Sequence, residues 1–263
     1  MESRAGATGV TPADSAARIH PVPYFGRRLP GRSGTTISLR DGSRPRAPLA
    51  TGTLLSVNLL AFWYEFSLGE ARVERFLDAW GVVPRNVTAF ILGGQSHPGV
   101  LVTPLTSMYL HVGALHLASN MLYLWVFGSA VEQQLGRRRF LAFYTACGLL
   151  AAAAQVVAWR DSPIPAVGAS GAIAGLLAAY LVLRPGATIA VVAPFLFFFP
   201  TVDVPAVLML GLWFLSQFLS GLATLSSSAS GGGVAWLAHL GGFFGGLVLI
   251  FFFRPRRRRT YHW

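Results

Sequence analysis

Polar and apolar positions in this chain fall into long blocks. Apolar runs recur at about 49–66, 113–131, 140–158, 169–183, 205–222 and 234–253. Most approach the ~20 residues a helix needs to cross a bilayer, so the pattern predicts six spanning helices. The fourth run is short, and short segments at membrane depth line a cavity rather than face lipid. Residues 1–46 are rich in Arg, Gly, Pro, Ser and Thr, without a hydrophobic period; they have too little apolar surface to bury, and a disordered tail is expected. Residues 67–110 are mixed, with Glu70, Arg72, Glu74, Arg75 and Asp78 ahead of Gly93-Gly94 and Pro98-Gly99. A connection of that length is expected to be a structured loop with short helices on the membrane surface. Between Pro185 and Pro205 the Phe-rich stretch Ala193–Pro200 carries two internal prolines and is followed by Asp203. It reads as an interfacial or re-entrant connection, with a seven-span arrangement as the other reading. Residues 223–233, rich in Ser and Gly, are expected to be flexible. The fold class that follows is an all-α polytopic membrane protein: a cytoplasmic tail over 1–46, a six-helix membrane domain over 47–253 with a structured first outer loop, and a basic cytoplasmic tail over 254–263.

Composition agrees with this. The 263 residues are 53% hydrophobic and 12% charged, too apolar for an ordinary soluble domain. The net charge of +11 rests on 21 basic residues, every one an arginine, so lysine chemistry is excluded. The arginines adjoin the apolar runs, which makes them topology determinants rather than a nucleic-acid surface. Placing both termini inside puts 17 of them there (the two tails, Arg137–Arg139 and Arg184) and four outside (Arg72, Arg75, Arg85 and Arg160). The expectation is a multi-pass protein of the cell membrane with cytoplasmic termini. The first 45 residues hold no apolar core segment that would read as a secretory leader. Cys147 is the single cysteine, which rules out an intramolecular disulfide or a cysteine-built metal site.

Four polar pieces then stand out inside or at the edge of apolar runs, where polar groups are costly: His116–Asn120, Gly168–Gly171, Ala238-His239 and Gly242–Gly246. Gly168-Ala169-Ser170-Gly171 places Ser170 at the start of the fourth span, where unpaired N–H groups and the helix dipole suit a developing oxyanion. Alone the tetrapeptide is weak, because Gly-x-Ser-Gly arises by chance in a chain with 29 glycines. His239 discriminates better. Gly242 and Gly246, with Gly241 and Gly245, form a small-residue face that lets one helix approach another closely, and the fourth span offers Gly171, Ala174, Gly175 and Ala178. Packing those faces brings His239 beside Ser170 as its base. His116 and Asn120, four residues apart, share a helix face and can donate to an oxyanion; taken alone they read equally as polar bridges between helices. All three sites lie toward the outer ends of their spans. With Asp161 in an outer loop and Asp203 on the inner side, no carboxylate completes a triad, and a Ser–His dyad results. No His-Glu-x-x-His and no central acidic pair is present, which argues against zinc and aspartyl proteases. No metal or cofactor is expected.

With Leu105–His111, His116–Asn120, Val131–Gly136, Gly168–Gly171 and Ala238–Gly246 in this order, the chain resembles the rhomboid family of intramembrane serine proteases over roughly 49–253. The resemblance implies Ser170 as nucleophile, His239 as base, and His116 and Asn120 with the Ser170 N–H as oxyanion donors. It further implies single-span membrane-protein substrates cut in or near their span, at a small residue in a weak helix. Two departures accompany it. The aromatic that some members stack on the base, four residues after the serine, is replaced by Ala174, with Trp236 as the expected substitute. The Trp-Arg pair of the first outer loop in some members is missing. The competing classes are an inactive rhomboid-like protein that binds membrane clients, which degraded dyad residues would signal, and a small-solute transporter, which internal repeats would signal. Lateral access is expected through the fifth span, carrying Trp213, Phe214 and Phe218, and the 226–233 loop.

Overall fold

The computed structural model describes residues 47–94, 97–192, 201–226 and 235–254. The predicted tail over 1–46 lies outside the described residues, as do nearly all of the C-terminal tail and residues 227–233 of the Ser- and Gly-rich stretch, whose residues 223–226 are the end of a helix rather than the start of a loop.

Helix α1 (Leu49–Leu68) follows Pro48 and ends at Gly69, whose φ of 72° closes it. No side chain of its own caps its start. Glu132, far along the chain, takes that role: its carboxylate accepts from the Ala50 N–H at 3.0 Å, the Thr51 N–H at 2.7 Å and the Thr51 hydroxyl at 2.8 Å. Glu132 and Thr51 are both buried. A carboxylate on the free N–H groups at a helix's positive end is favourable on both counts. Charged hydrogen bonds of this kind contribute about 1.5–3 kcal/mol each.

Between α1 and the next long helix the chain folds into α2 (Glu70–Trp80), α3 (Pro84–Ile91) and α4 (Thr103–Thr106), with 3-10 turns at Pro98–Leu101 and Ser107–Tyr109. Pro84 opens α3 at the position where a missing N–H costs least. Helix α5 (Ala114–Tyr123) continues through a π-helical turn, Leu124–Gly128, into α6 (Ser129–Leu135). Gly136, at φ 77°, turns the chain into α7 (Arg137–Ala158). Then come α8 (Ser170–Leu183), strands β1 (Thr188–Val192) and β2 (Thr201–Pro205), α9 (Ala206–Ser226) and α10 (Ala235–Phe253).

Three helical stretches among the described residues are long and apolar enough to cross a membrane: Ala114–Leu135, Arg137–Ala158 and Trp236–Phe253. Two shorter apolar stretches, Ser170–Leu183 and Ala206–Leu219, accompany them. α1, which carries Asn58 and Glu65, is not one of the three. Large apolar side chains face outward, with Trp63 70%, Phe66 79% and Phe252 79% exposed. Such faces suit hydrocarbon as the solvent.

The all-α expectation requires one correction. The stretch read as a re-entrant or interfacial connection contains an antiparallel ribbon, with Thr188 opposite Pro205 and Val192 opposite Thr201; residues 193–200 lie outside the described set. β-branched Thr188, Ile189, Val191, Val192, Thr201, Val202 and Val204 favour extended pairing. Pro205, which has no N–H to donate, sits at the strand end, where none is required.

Helix α8 is the centre of the core. Every residue from Gly171 to Tyr180 is buried, against α7, α10 and the π-helical turn. The Phe127 ring of that turn meets Tyr180 edge-on at 5.1 Å. Fourteen residues make a helix about 21 Å long, short of the ~30 Å hydrocarbon layer.

Candidate active site

Ser170 is the first residue of α8, and the chain leading to it is held at several points. Val82 and Ala166 exchange N–H···O bonds of 3.0 and 2.8 Å, the Arg85 N–H donates to the Ser162 carbonyl at 3.1 Å, and the Gly168 N–H donates to the Ser107 carbonyl at 2.8 Å. Gly168 itself has φ +125°, which L side chains rarely adopt. A β-carbon there would lie 2.9 Å from His116 Cε1 and 3.0 Å from its Nε2, with Ser170 Oγ 3.6 Å away. His116 thus reaches the glycine turn directly beside the serine.

The predicted glycine faces meet. A β-carbon on Gly242 would collide with the Gly171 carbonyl, and one on Gly246 would come within 2.5 Å of Gly175 Cα. On its other flank α10 presents Gly245 to Leu150 and Gly241 to Ala154 of α7, while Gly175 also faces Cys147. Helix α10 is therefore seated backbone-deep between α7 and α8.

That seating puts His239 Nε2 2.7 Å from Ser170 Oγ. The other ring nitrogen, Nδ1, is 2.6 Å from Gln217 Oε1 of α9. Since Gln217 Nε2 donates to Ser216 Oγ at 3.3 Å, the assignment consistent with the network has Nδ1–H donating to Gln217 and Nε2 accepting from the serine hydroxyl. Trp213, one turn before Gln217 on the same helix, packs on the imidazole with ring centroids 5.8 Å apart at 44°.

His116, Asn120, Ser170 and His239 share the wall of one cavity of about 180 Å³, which Trp213 also lines. Asn120 is buried, and its Nδ2, like His116 Nδ1, has no hydrogen-bond partner among the described residues. The Asn120 amide thus carries hydrogens that no described group takes up, in a residue that lines the space beside the serine. A second cavity of about 310 Å³ also borders both His116 and Ser170, and is lined further by Ser107, Met108, Gln155 and Val167. The structure brings together all the sequence-predicted residues: Ser170 and His239 directly, His116 and Asn120 around the smaller cavity, and Gly168, Gly171, Gly175, Gly242 and Gly246 as the turn and the close packing.

One expectation is corrected. The aromatic on the base is Trp213 from the fifth predicted span, whereas Trp236 makes no ring contact among the described residues. Trp213 also lines the cavity between α5 and α8, the cleft in which the wedge is expected. Its neighbour Phe214 packs on Phe243 and Phe244, at 5.0 and 5.8 Å, while Phe218 is exposed. Nearly all of the 226–233 loop lies outside the described residues. Sequence reasoning also missed Gln217 and Gln155, and gave no role to His111 at the end of the Leu105–His111 motif. Gln155 is completely buried. His111 meets the His116 ring edge-on at 5.1 Å, and burial, reinforced by His116, pushes its imidazole down to about 4, so it stays neutral near pH 7. For both glutamines the available signal was an amide in an otherwise apolar run.

A family model described as Rhomboid domain matches residues 98–256. Rhomboid protease GluP of Bacillus subtilis is 38% identical over 135 residues, 51% of this chain and 24% of that protein. RHOMBOID-like protein 7 of Arabidopsis thaliana is 33% identical over 193 residues, 73% of this chain and 56% of that one. The human mitochondrial presenilin-associated rhomboid-like protein is 30% identical over 150 residues, 50% and 38% of the two chains. The chain thus spans less than two thirds of the length of these relatives. The matched region contains α5, α8 and α10 entire, the helices that carry the polar cluster within an apolar bundle, and with more than half its length under one family model this chain is a membrane protein of the rhomboid family.

Proposed function

We propose that the protein is an intramembrane serine endopeptidase that cleaves single-span membrane proteins in or near their span. The observation that carries this reading is the 2.7 Å contact between His239 Nε2 and Ser170 Oγ, within the reach a general base requires. As the substrate carbonyl approaches, Ser170 Oγ attacks its carbon and passes its proton to His239 Nε2, and the carbonyl π pair moves onto oxygen. The Ser170 N–H at the start of α8, with His116 and Asn120, donates to that oxyanion. Collapse of the intermediate breaks the C–N bond, and the departing amine takes the proton from His239. Water, deprotonated by the same imidazole, then hydrolyses the acyl-enzyme and frees the serine. No metal or cofactor enters any step.

The membrane setting belongs to the same proposal. Six spans, with α1, α5–α6, α7, α8, α9 and α10 as the crossing elements, place both termini in the cytoplasm by the arginine bias. Ser170 then opens toward the outer side of the cell membrane, recessed below its surface because α8 is short.

The test is cleavage of a model single-span substrate by purified, detergent-solubilised protein, comparing wild type with Ser170→Ala. Cleavage by wild type alone is expected. Equal cleavage by both, or none by wild type across several substrates, overturns the reading, and the second outcome leaves client binding in its place. His116→Ala and Asn120→Ala are each expected to lower kcat by about 10- to 1000-fold, the range for removing one oxyanion donor. Initial rates at saturating substrate check this, and unchanged rates at both positions return them to helix bridging.

A further inference from the structure

Of the two hydrogen bonds on the His239 ring, one remains outside the dyad chemistry. Nδ1 faces Gln217 Oε1 at 2.6 Å, and the acceptor comes from a third helix, α9, rather than from α8 or α10. We propose that Gln217 is the positioning residue of the base: its side-chain oxygen takes the Nδ1 proton and so reserves Nε2 for the Ser170 hydroxyl. This rests on the serine-protease reading.

The physical reason lies in the tautomers of a neutral imidazole. One ring nitrogen carries the proton and the other accepts, and the hydrogen bond at one decides the role of the other. Without an acceptor at Nδ1 the ring populates the form with the proton on Nε2, which cannot receive a proton from serine. The Gln217 amide is itself oriented, since its nitrogen donates to Ser216 Oγ at 3.3 Å, which turns the oxygen toward the histidine. Trp213, four residues earlier and hence on the same face of α9, packs against the ring at 5.8 Å. One helix face therefore holds the imidazole at its edge and against its ring. An amide in this apolar helix is costly unless its polar atoms are engaged, and both are.

A neutral amide orients the imidazole but cannot balance the charge of the imidazolium as a carboxylate does. Its removal should therefore cost less than the ~10⁴-fold seen where the orienting group is a carboxylate. The experiment measures kcat, KM, pH–rate profiles and thermal stability of detergent-solubilised wild type, Gln217→Leu and Gln217→Glu on one model substrate. Gln217→Leu is expected to lower kcat by about 10- to 100-fold with KM within about 3-fold. Gln217→Glu restores an acceptor and adds a charge that stabilises the imidazolium. It is expected to recover most of the rate while moving the acid limb of the profile to higher pH, because a more basic His239 needs a higher pH to be deprotonated. Gln217→Leu within about 3-fold of wild type overturns the proposal, and so does a Gln217→Glu variant as impaired as Gln217→Leu with an unmoved acid limb. If Gln217→Leu does not fold, the acid limb of Gln217→Glu alone decides. The Ser170→Ala control separates the two readings: cleavage dependent on Ser170 with a flat Gln217 series sinks only the positioning role, whereas cleavage independent of Ser170 sinks both.

Discussion

The His239→Ala variant is expected to lose cleavage of a model single-span substrate by at least about 10³-fold while keeping its fold. A positioned base contributes roughly 10²- to 10⁴-fold by itself, and groups that act as one unit lose nearly everything when either is removed. The fold should survive because the ring's hydrogen bonds are to Ser170 and Gln217, whereas α10 is seated by its glycines against α7 and α8. Cleavage rates read beside thermal unfolding in the same detergent check both halves. A variant that cleaves within tenfold of wild type would remove His239 from the chemistry. One that loses activity and fold together would make it a structural bridge.

The second large effect is expected at Gly242. A β-carbon there meets the Gly171 carbonyl closer than any real contact, and that neighbour is backbone, which has no rotamer to yield. Gly242→Ala must push α10 off α8, beside Ser170 itself. Overpacking of this kind typically costs about 1–3 kcal/mol, and the separation should draw the imidazole out of reach of the hydroxyl. We expect a loss of activity on the order of 100-fold, the scale attached to small displacements of reacting groups, with a lowered unfolding temperature; Gly242→Val should be worse. Gly52→Ala in α1 is the matched control, since among the described residues nothing beyond its chain neighbours and its own helix backbone lies within 4 Å of the added carbon. It should leave activity unchanged and stabilise the helix by roughly 0.5–1 kcal/mol. Equal behaviour of the two variants would mean that close helix approach does not set the site.

Much of this molecule is legible before any coordinates. Blocks of apolar residues report helices because the 3.6-residue period and burial in lipid leave few alternatives, and the helices start and stop within a few residues of the predicted runs. Ser170, His239, His116 and Asn120 are conspicuous for the same reason: each is a polar group in or beside an apolar stretch. The approach of the face carrying Gly242 and Gly246 to the face carrying Gly171 and Gly175 was also readable, since matching small-residue stripes have one economical use, close approach of two helices; which glycine meets which was not.

What the sequence by itself determined, then, is local: where the helices lie, which of their faces are small, and which few side chains have a chemistry their surroundings do not explain. The tertiary structure alone decided what depends on how helices from distant parts of the chain are rotated against one another. Trp213 is an ordinary membrane-helix residue, and Gln217 an amide without a visible partner, until α9 turns one face to His239 and supplies both a ring and an acceptor. Glu132 caps α1 across some eighty residues of sequence, a partnership with no local signature. The ribbon of β1 and β2 emerged because its backbone groups satisfy one another, in a stretch whose prolines forbid a helix. Spacing within an element can be read along the chain, but the azimuth of one element about another is set by packing, and the hydrogen bond at His239 Nδ1 is a matter of azimuth.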